Sequence, residues 1–289
     1  AVLSIGESED IRKIDISWLS GGVSVQAVGQ TSQITVQEDA TAELAEDEKL
    51  VCTVDGDTLC IRFMSDANRD GFEGEKFLTV SLPWELVKNA HFEEIDIETT
   101  NAYAYVSADA QKIKLSTVGG DARVMGASCP AVEIETVSGN AGVVDGTWAK
   151  VDISTVSGAI ELAGDADSAG IETTSGKTDI AGALGALEFA SVSGNLILSS
   201  ERALRLDAKT TSGGIDLTLP ESDGFTLTHE TTSGALETDL TGREGTLIAC
   251  GDHFTRYTVP ALDGGGTSEL EISTVSGTLT IDASTFGSN

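Results

Sequence analysis

Ser154–Leu162, STVSGAIEL, decides the fold, because its core recurs: ETVSGN, ETTSGK, ASVSGN, KTTSGG, ETTSGA and STVSGT stand elsewhere in the same chain. The glycines of these motifs are Gly139, Gly158, Gly176, Gly194, Gly213, Gly234 and Gly277, and degenerate copies centre on Gly120 (STVGGD) and Ala102 (ETTNAY). Successive centres lie 18 or 19 residues apart from Ala102 to Gly213, then 21 and 43 apart. A period of this length held over most of a chain marks a repeat architecture. The long last interval places one atypical coil near residues 241–268.

Inside each copy the apolar pattern has period two. Val151, Ile153 and Thr155 alternate with polar residues before the glycine, and Ile160 and Leu162 do so after it. Two short strands joined by a corner, with one face buried, are predicted. Seven residues before the centre the copies read Ile95, Ile113, Val132, Val151, Ala169, Leu187, Leu206, Leu227 and Leu270; five before, they read Ile97, Leu115, Ile134, Ile153, Ile171, Phe189, Ala208, His229 and Ile272. One coil cannot bury its apolar face alone, whereas stacked coils share a continuous core. The pattern predicts an all-β, single-chain parallel β-helix (β-solenoid), a rod of nine coils about 40 Å long at the inter-strand spacing. Phe189 followed one coil later by Ala208 reads as large-against-small compensation in a filled interior.

Serine before glycine suggests a nucleophile on a tight turn, but the repeat supplies a structural reading. Glycine at the corner is expected to provide a positive φ. The threonine or serine three residues earlier, present in all nine copies, is expected to satisfy corner backbone groups or its stacked neighbours. A nucleophile also needs a base, and the three histidines, His91, His229 and His253, stand at no repeated offset from a serine. His229 falls in an inward column and reads as a core histidine bonded to a neighbouring coil. His253, Arg256 and Tyr257 form a local cationic and aromatic concentration in the atypical coil.

Residues 1–90 use the same vocabulary without the full repeat and read as an N-terminal β cap and hairpin region continuous with the solenoid of residues 91–289. IRKIDISWLSGGVSVQAV opens the first coil, and KLVCTVDGDTLCIRF reads as a hairpin. With a three-residue loop over Asp55–Asp57, Cys52 faces Cys60 across the ladder, a geometry that permits a disulfide. Cys129 and Cys250 read as buried thiols. TAELAEDEKL and PWELVKNA each have room for a helical turn or a short helix.

The 289 residues carry 47 acidic against 17 basic side chains, a formal charge of −30. Phosphate binding requires clustered Lys and Arg, so nucleic acid is excluded as a partner. Acidic residues fall in outward columns, Asp96, Glu133, Asp152, Glu188, Asp207 and Glu271 in one, and Lys114, Gly170 and Thr228 interrupt that stack of like charge. In DANRDGFEGE, Asp66, Asn68, Asp70, Glu73 and Glu75 resemble the oxygen-rich first half of a calcium loop. The twelfth position is Phe77 rather than a bidentate glutamate, and a solvated hairpin loop is the competing reading.

IRKIDISWLSGGVSV, DGDTLCIRF, FLTVSLPWEL and the TVSG or TTSG corners, in this order, resemble a bacterial family of putative adhesins of unknown function with β-strand repeats. The resemblance implies a right-handed β-helix, exported or attached to the envelope through a segment outside the repeat, and carries no catalytic residue and no cofactor. The expectation is therefore a non-enzymatic surface or envelope protein, an adhesin or scaffold with an extracellular glycan or protein as partner. An anchor N-terminal to Ala1 is expected, with membrane contact only through it. The alternatives are a polysaccharide-processing β-helix enzyme that uses carboxylates and calcium in a groove, and an envelope sensory or assembly module. Ser157→Ala is expected to leave any activity intact and cost modest stability, while Gly158→Val damages folding; urea melts of the two variants and a binding or turnover assay check both outcomes.

Overall fold

In a computed structural model the chain is described over residues 2–6, 10–29, 31–65, 72, 74–239, 243, 245–251 and 253–284. Among these residues the fold is all-β, with a single 3-10 turn at Glu46–Glu48 and one four-residue helix, both in the stretches where helical turns were expected. The residues group into two compact units, 1–147 and 148–289.

The first unit contains β1 (Val2–Ile5), β2 (Lys13–Val28), β3 (Ile34–Ala40), β4 (Val51–Asp55), β5 (Thr58–Arg62), β6 (Lys76–Pro83), α1 (Trp84–Val87), β7 (Glu94–Ser107), β8 (Lys112–Thr117), β9 (Ala122–Met125), β10 (Cys129–Thr136) and the start of β11 (Ala141–Thr155). β2 is its central strand. Parallel to it, β5 and β6 lie on one side and β7 on the other, with Ile14 between Leu59 and Ile95, and Val23 between Leu78 and Ala104. From β7 two strips continue in parallel, one through β8 and β10, the other through β9 and β11. On the far side antiparallel strands finish the sheet, β4 on β5, β3 on β6 and β1 on β3. The predicted inward columns are buried, Ile95, Ile113 and Val132 among them.

The second unit continues with β12 (Ile160–Thr173), β13 (Thr178–Gly182), β14 (Leu184–Ser191), β15 (Leu196–Ser200), β16 (Arg205–Thr210), β17 (Ile215–Pro220), β18 (Gly224–Thr231), β19 (Leu236–Asp239), β20 (Thr246–Gly251), β21 (Phe254–Val259), β22 (Thr267–Thr274) and β23 (Leu279–Ser284). Residues one period apart lie side by side in parallel, Ile160 beside Thr178 and Leu196 beside Ile215. Phe189 packs beside Ala208, both buried, as volume compensation requires.

The order of coils in space departs from their order in the chain. β22 lies between β16 and β18, and β23 between β17 and β19. The last copy, centred on Gly277, is thus inserted between the copies of Gly213 and Gly234. β18 takes β21 on its other edge, antiparallel, and β20 adds to β21. The atypical stretch is therefore an excursion that forms this hairpin and then returns the chain into a slot one coil back. Reading coils in chain order cannot reveal it.

The corner glycines are required by close approach and not by a positive φ, which corrects the expectation. None of them is among the glycines with positive φ. A Cβ on Gly176 would lie 1.9 Å from the Gly158 carbonyl oxygen, one on Gly213 1.9 Å from that of Gly194, and one on Gly277 2.0 Å from that of Gly213. The threonines behave as predicted. The Thr155, Thr173 and Thr210 hydroxyls each accept the N–H of the corner glycine three residues on, at 3.0 Å.

The hairpin register also differs from the reading above. Asp55 pairs with Thr58, so the turn is the two residues Gly56 and Asp57, with Gly56 at φ +62°. Two-residue turns with positive φ match the strand twist. Cys52 therefore opposes Ile61 and Cys60 opposes Thr53, which sets the two thiols on opposite faces, and neither is in a disulfide. Cys129 is buried as expected, its thiol pushed up to about 12 by burial, whereas Cys250 is exposed.

Two substitutions test this packing. Gly176→Ala is expected to lose about 1–3 kcal/mol, because its Cβ meets a backbone carbonyl that cannot rotate away. Thr178→Val is expected to gain about 1 kcal/mol, since Thr178 is buried between Ile160 and Leu196 and its hydroxyl lacks a hydrogen-bond partner. Urea denaturation measures both.

Candidate binding face

The corner serines are structural. Among the described copies, Ser138 donates to the Val118 carbonyl, Ser175 to Val156, Ser193 to Thr174, Ser212 to Val192, Ser233 to Val275 and Ser276 to Thr211, at 3.1–3.4 Å. Each hydroxyl clips its coil to the neighbouring one. A shallow open depression of about 390 Å³ over the corners is lined by Thr155, Thr173, Ser191, Val156 and Val192, with the Glu172 carboxylate also in its wall.

The histidines are separately placed. His91 pairs through Nε2 with the Ile11 carbonyl at 2.8 Å. His229 is buried, its Nε2 3.4 Å from the Thr274 hydroxyl, which donates to Thr231 Oγ1 at 3.0 Å. Thr274 belongs to the inserted strand β22, so this core histidine bonds to a neighbouring coil, as its column predicts. His253 offers its backbone carbonyl to the Thr231 N–H.

Of the calcium-loop residues, Asp66, Asn68, Asp70 and Glu73 lie outside the described residues. Glu75 is exposed, and its backbone N–H donates to Thr41 Oγ1 at 3.3 Å while its carbonyl accepts the Thr41 N–H at 3.1 Å. Among the described residues no group of three or more His, Cys, Asp or Glu is placed to hold a metal ion.

Sequence reasoning missed Lys76. The first residue of β6 is fully buried, and its ammonium donates to Glu38 Oε1 at 2.7 Å, to the Glu48 carbonyl at 2.7 Å and to the Phe63 carbonyl. It lies 4.1 Å from the Phe63 ring centroid and 5.3 Å from that of Trp18. Burial lowers the lysine's proton affinity, opposed by the hydrogen bond it donates to Glu38. With three acceptors for three N–H groups this amine is saturated and has no lone pair to offer a substrate. Its role is to hold β3, the 3-10 turn and the end of β5 to the start of β6. The sequence signal was a lysine opening an apolar strand.

That arrangement positions the outward face above it. Asp39, Phe77, Gly22 and Tyr103 stand in one line across β3, β6, β2 and β7, and Gln37, Thr79, Ser24 and Tyr105 in the next. Gly22 is essential to the line: the Tyr103 ring tip occupies the space of the missing side chain, its Cζ 2.1 Å from where a Cβ would be. Tyr103 therefore leans across β2 toward Phe77, ring centroids 6.4 Å apart, and remains 44% exposed. At the rim, Gln37 Nε2 donates to Asp39 Oδ2 at 2.7 Å. The face is half-apolar, with Phe77, Gly22 and Tyr103 along one line and the Asp39 carboxylate and Gln37 amide at its end.

The family model described as Toastrack DUF4097 matches residues 2–282. The chain is also similar to three solved structures. A putative lipid binding protein from Parabacteroides distasonis is 14% identical, with 98% of this chain and 96% of that one covered and a TM-score of 0.55. A putative adhesin from Parabacteroides merdae is 12% identical, with coverage of 97% and 94% and a TM-score of 0.54. A putative adhesin from Bacteroides fragilis is 10% identical, with coverage of 75% and 97% and a TM-score of 0.50. At these identities the likeness concerns the fold. Among curated proteins none matches the chain.

His229 provides the pH test. Burial holds its imidazole below the ordinary value of 6.5, so as pH falls the unfolded chain binds this proton first. The associated stability is complete above about 6.5 and is lost below it, at up to about 1.4 kcal/mol per pH unit. Urea melts between pH 7.5 and 5.5 are expected to show a slope shallower by up to one proton in His229→Ile than in the unaltered protein.

Proposed function

Because the chain belongs to the Toastrack DUF4097 family, we propose that it is a non-enzymatic protein of the cell surface or envelope that uses its outer sheet faces for adhesion or scaffolding. One observation carries the reading: the repeated corner hydroxyls, the recurrent candidate nucleophiles of the sequence, donate to backbone carbonyls of neighbouring coils. The exposed aromatic face on the first unit supplies a binding surface in their place. The adhesin names of two structural neighbours agree with a surface role. Among the described residues no helix is long and apolar enough to cross a membrane, and attachment through a segment outside this sequence is part of the proposal. So is a right-handed coil, the hand that parallel crossover connections take in nearly all cases.

Protease shaving of intact cells is expected to degrade the protein, and the labelled full chain is expected to adhere to mucin- or collagen-coated surfaces. Incubation with acidic polysaccharides, with and without calcium, is expected to yield neither new reducing ends nor unsaturated products. Clear turnover would replace this reading with the polysaccharide-processing one.

A further inference from the structure

We propose that the slot between β16 and β18 also takes the C-terminal coil of a second copy, so that two chains join by exchanging residues 267–284. This goes beyond the adhesion reading and does not rest on it.

β16 and β18 each pair with β22, and β17 and β19 each pair with β23. Both walls of the slot therefore precede its occupant in the chain. They stand two strand spacings apart, about 10 Å. Until residues 267–284 enter, each wall presents a ladder edge on both strips of the coil, and an open edge is a template for a strand from any source.

Side chains restrict that source to one segment. Ser268 is fully buried, and its hydroxyl accepts the Leu204 N–H at 3.1 Å. No other copy has serine nine residues before its centre; those of Gly213 and Gly234 carry Leu204 and Phe225 there. A coil without this serine would leave the Leu204 N–H unpaired in the interior, which burial makes costly. On the other wall the buried Asp223 carboxylate accepts the Gly266 N–H at 2.7 Å, and the Thr274 hydroxyl donates to Thr231 Oγ1 at 3.0 Å. The occupant that fits is the C-terminal coil, and every copy of the chain carries one.

The connection to that coil favours exchange. Within one chain, residues 260–266 cross the end of β18, because Val259 lies beside Phe225 on one edge of it and Thr267 beside Gly224 on the other. The crossing is tight: Gly264 takes φ +87°, and a Cβ on Gly265 would lie 2.0 Å from the Ser222 carbonyl oxygen. Exchange preserves the contacts inside the slot and changes only this connection, which opens away from β18. A short hinge held this closely invites that route. Reciprocal exchange closes two copies into a two-fold dimer and leaves no slot empty. The tether gives the chain's own coil a fixed effective concentration, so the exchanged form grows with protein concentration.

Two single variants of the full chain, Thr226→Cys and Glu269→Cys, test the exchange. Residues 226 and 269 oppose each other on β18 and β22, and adjacent strands lie within disulfide reach. Neither variant holds both introduced thiols, so a disulfide between them reports that one copy's coil fills the other's slot. The variants are mixed in urea, refolded together and oxidised; peptide mass mapping locates the disulfide, and sedimentation gives the oligomeric state. A dimer carrying the 226–269 linkage is expected, its share rising with concentration. Deleting Gly264 and Gly265 should raise the dimer share at least about threefold, and inserting Gly-Gly-Ser after Leu262 should lower it by as much. Thermal melts identify a shortened chain that fails to fold, in which case the lengthened hinge decides. Monomer alone at every concentration, a dimer without the 226–269 linkage, or a dimer share indifferent to hinge length would each overturn the proposal. The surface reading stands or falls separately, on protease shaving and adhesion of the unaltered chain.

Discussion

Where glycine centres the corner between two strands of a coil, the neighbouring backbone leaves no room for a Cβ. At Gly139, Gly176, Gly213 and Gly277 the carbonyl oxygen of the adjacent coil lies about where the first side-chain carbon would be, within 1.8–2.0 Å. Two backbones this close can be kept at ladder spacing on both flanks, and the core columns stay in register as a consequence. The approach brings backbone groups into a tight bend, where each needs a partner. Threonine three residues earlier accepts the glycine N–H, and the serine before the glycine reaches across to the next coil. The T-x-S-G sequence is thus a complete solution to one steric and one hydrogen-bonding problem. A serine so engaged is poorly placed to do chemistry.

What the sequence made legible follows from period. The columns at seven and five residues before each centre are linear in the chain, and most interior positions carry an apolar side chain again one coil later, so the sequence alone matches Phe189 with Ala208. The inserted coil was hidden for the same reason. Nothing local distinguishes a coil that stacks on its predecessor from one that enters a slot further back, because both present the same apolar alternation. The choice is made by β21, which occupies the edge of β18 that the next coil would otherwise take. The hairpin register was missed by one residue, enough to move Cys52 and Cys60 to opposite faces, as a slip of one in a strand must.

Charge patterning shows how a strongly acidic chain tolerates stacked carboxylates. In the first unit Asp15 is held by Arg62 at 2.7 Å, and Lys114 separates Asp96 from Glu133 in their column. In the second, Lys177, just before β13, pairs with Asp179, and Lys209 pairs with Asp207 within β16. These pairs are exposed and contribute little stability each. Their effect is to lower repulsion along a ladder while leaving the net charge that keeps a strand-rich chain soluble.

The aromatic face joins the cap to the repeat: Phe77 and Gly22 stand on β6 and β2, and Tyr103 on β7 follows Ala102, the centre of a degenerate copy. Beyond the repeat, at β3 and β6, no corner motif is present, and a different device holds the strands. That device is Lys76, with its three acceptors and three nearby rings, in a pair whose rupture would leave Glu38 as an uncompensated buried charge. The next residue along the same strand is Phe77, which points outward beside Gly22. One step of a β-strand therefore separates the buried group that fixes the cap from the outward face of the same strand.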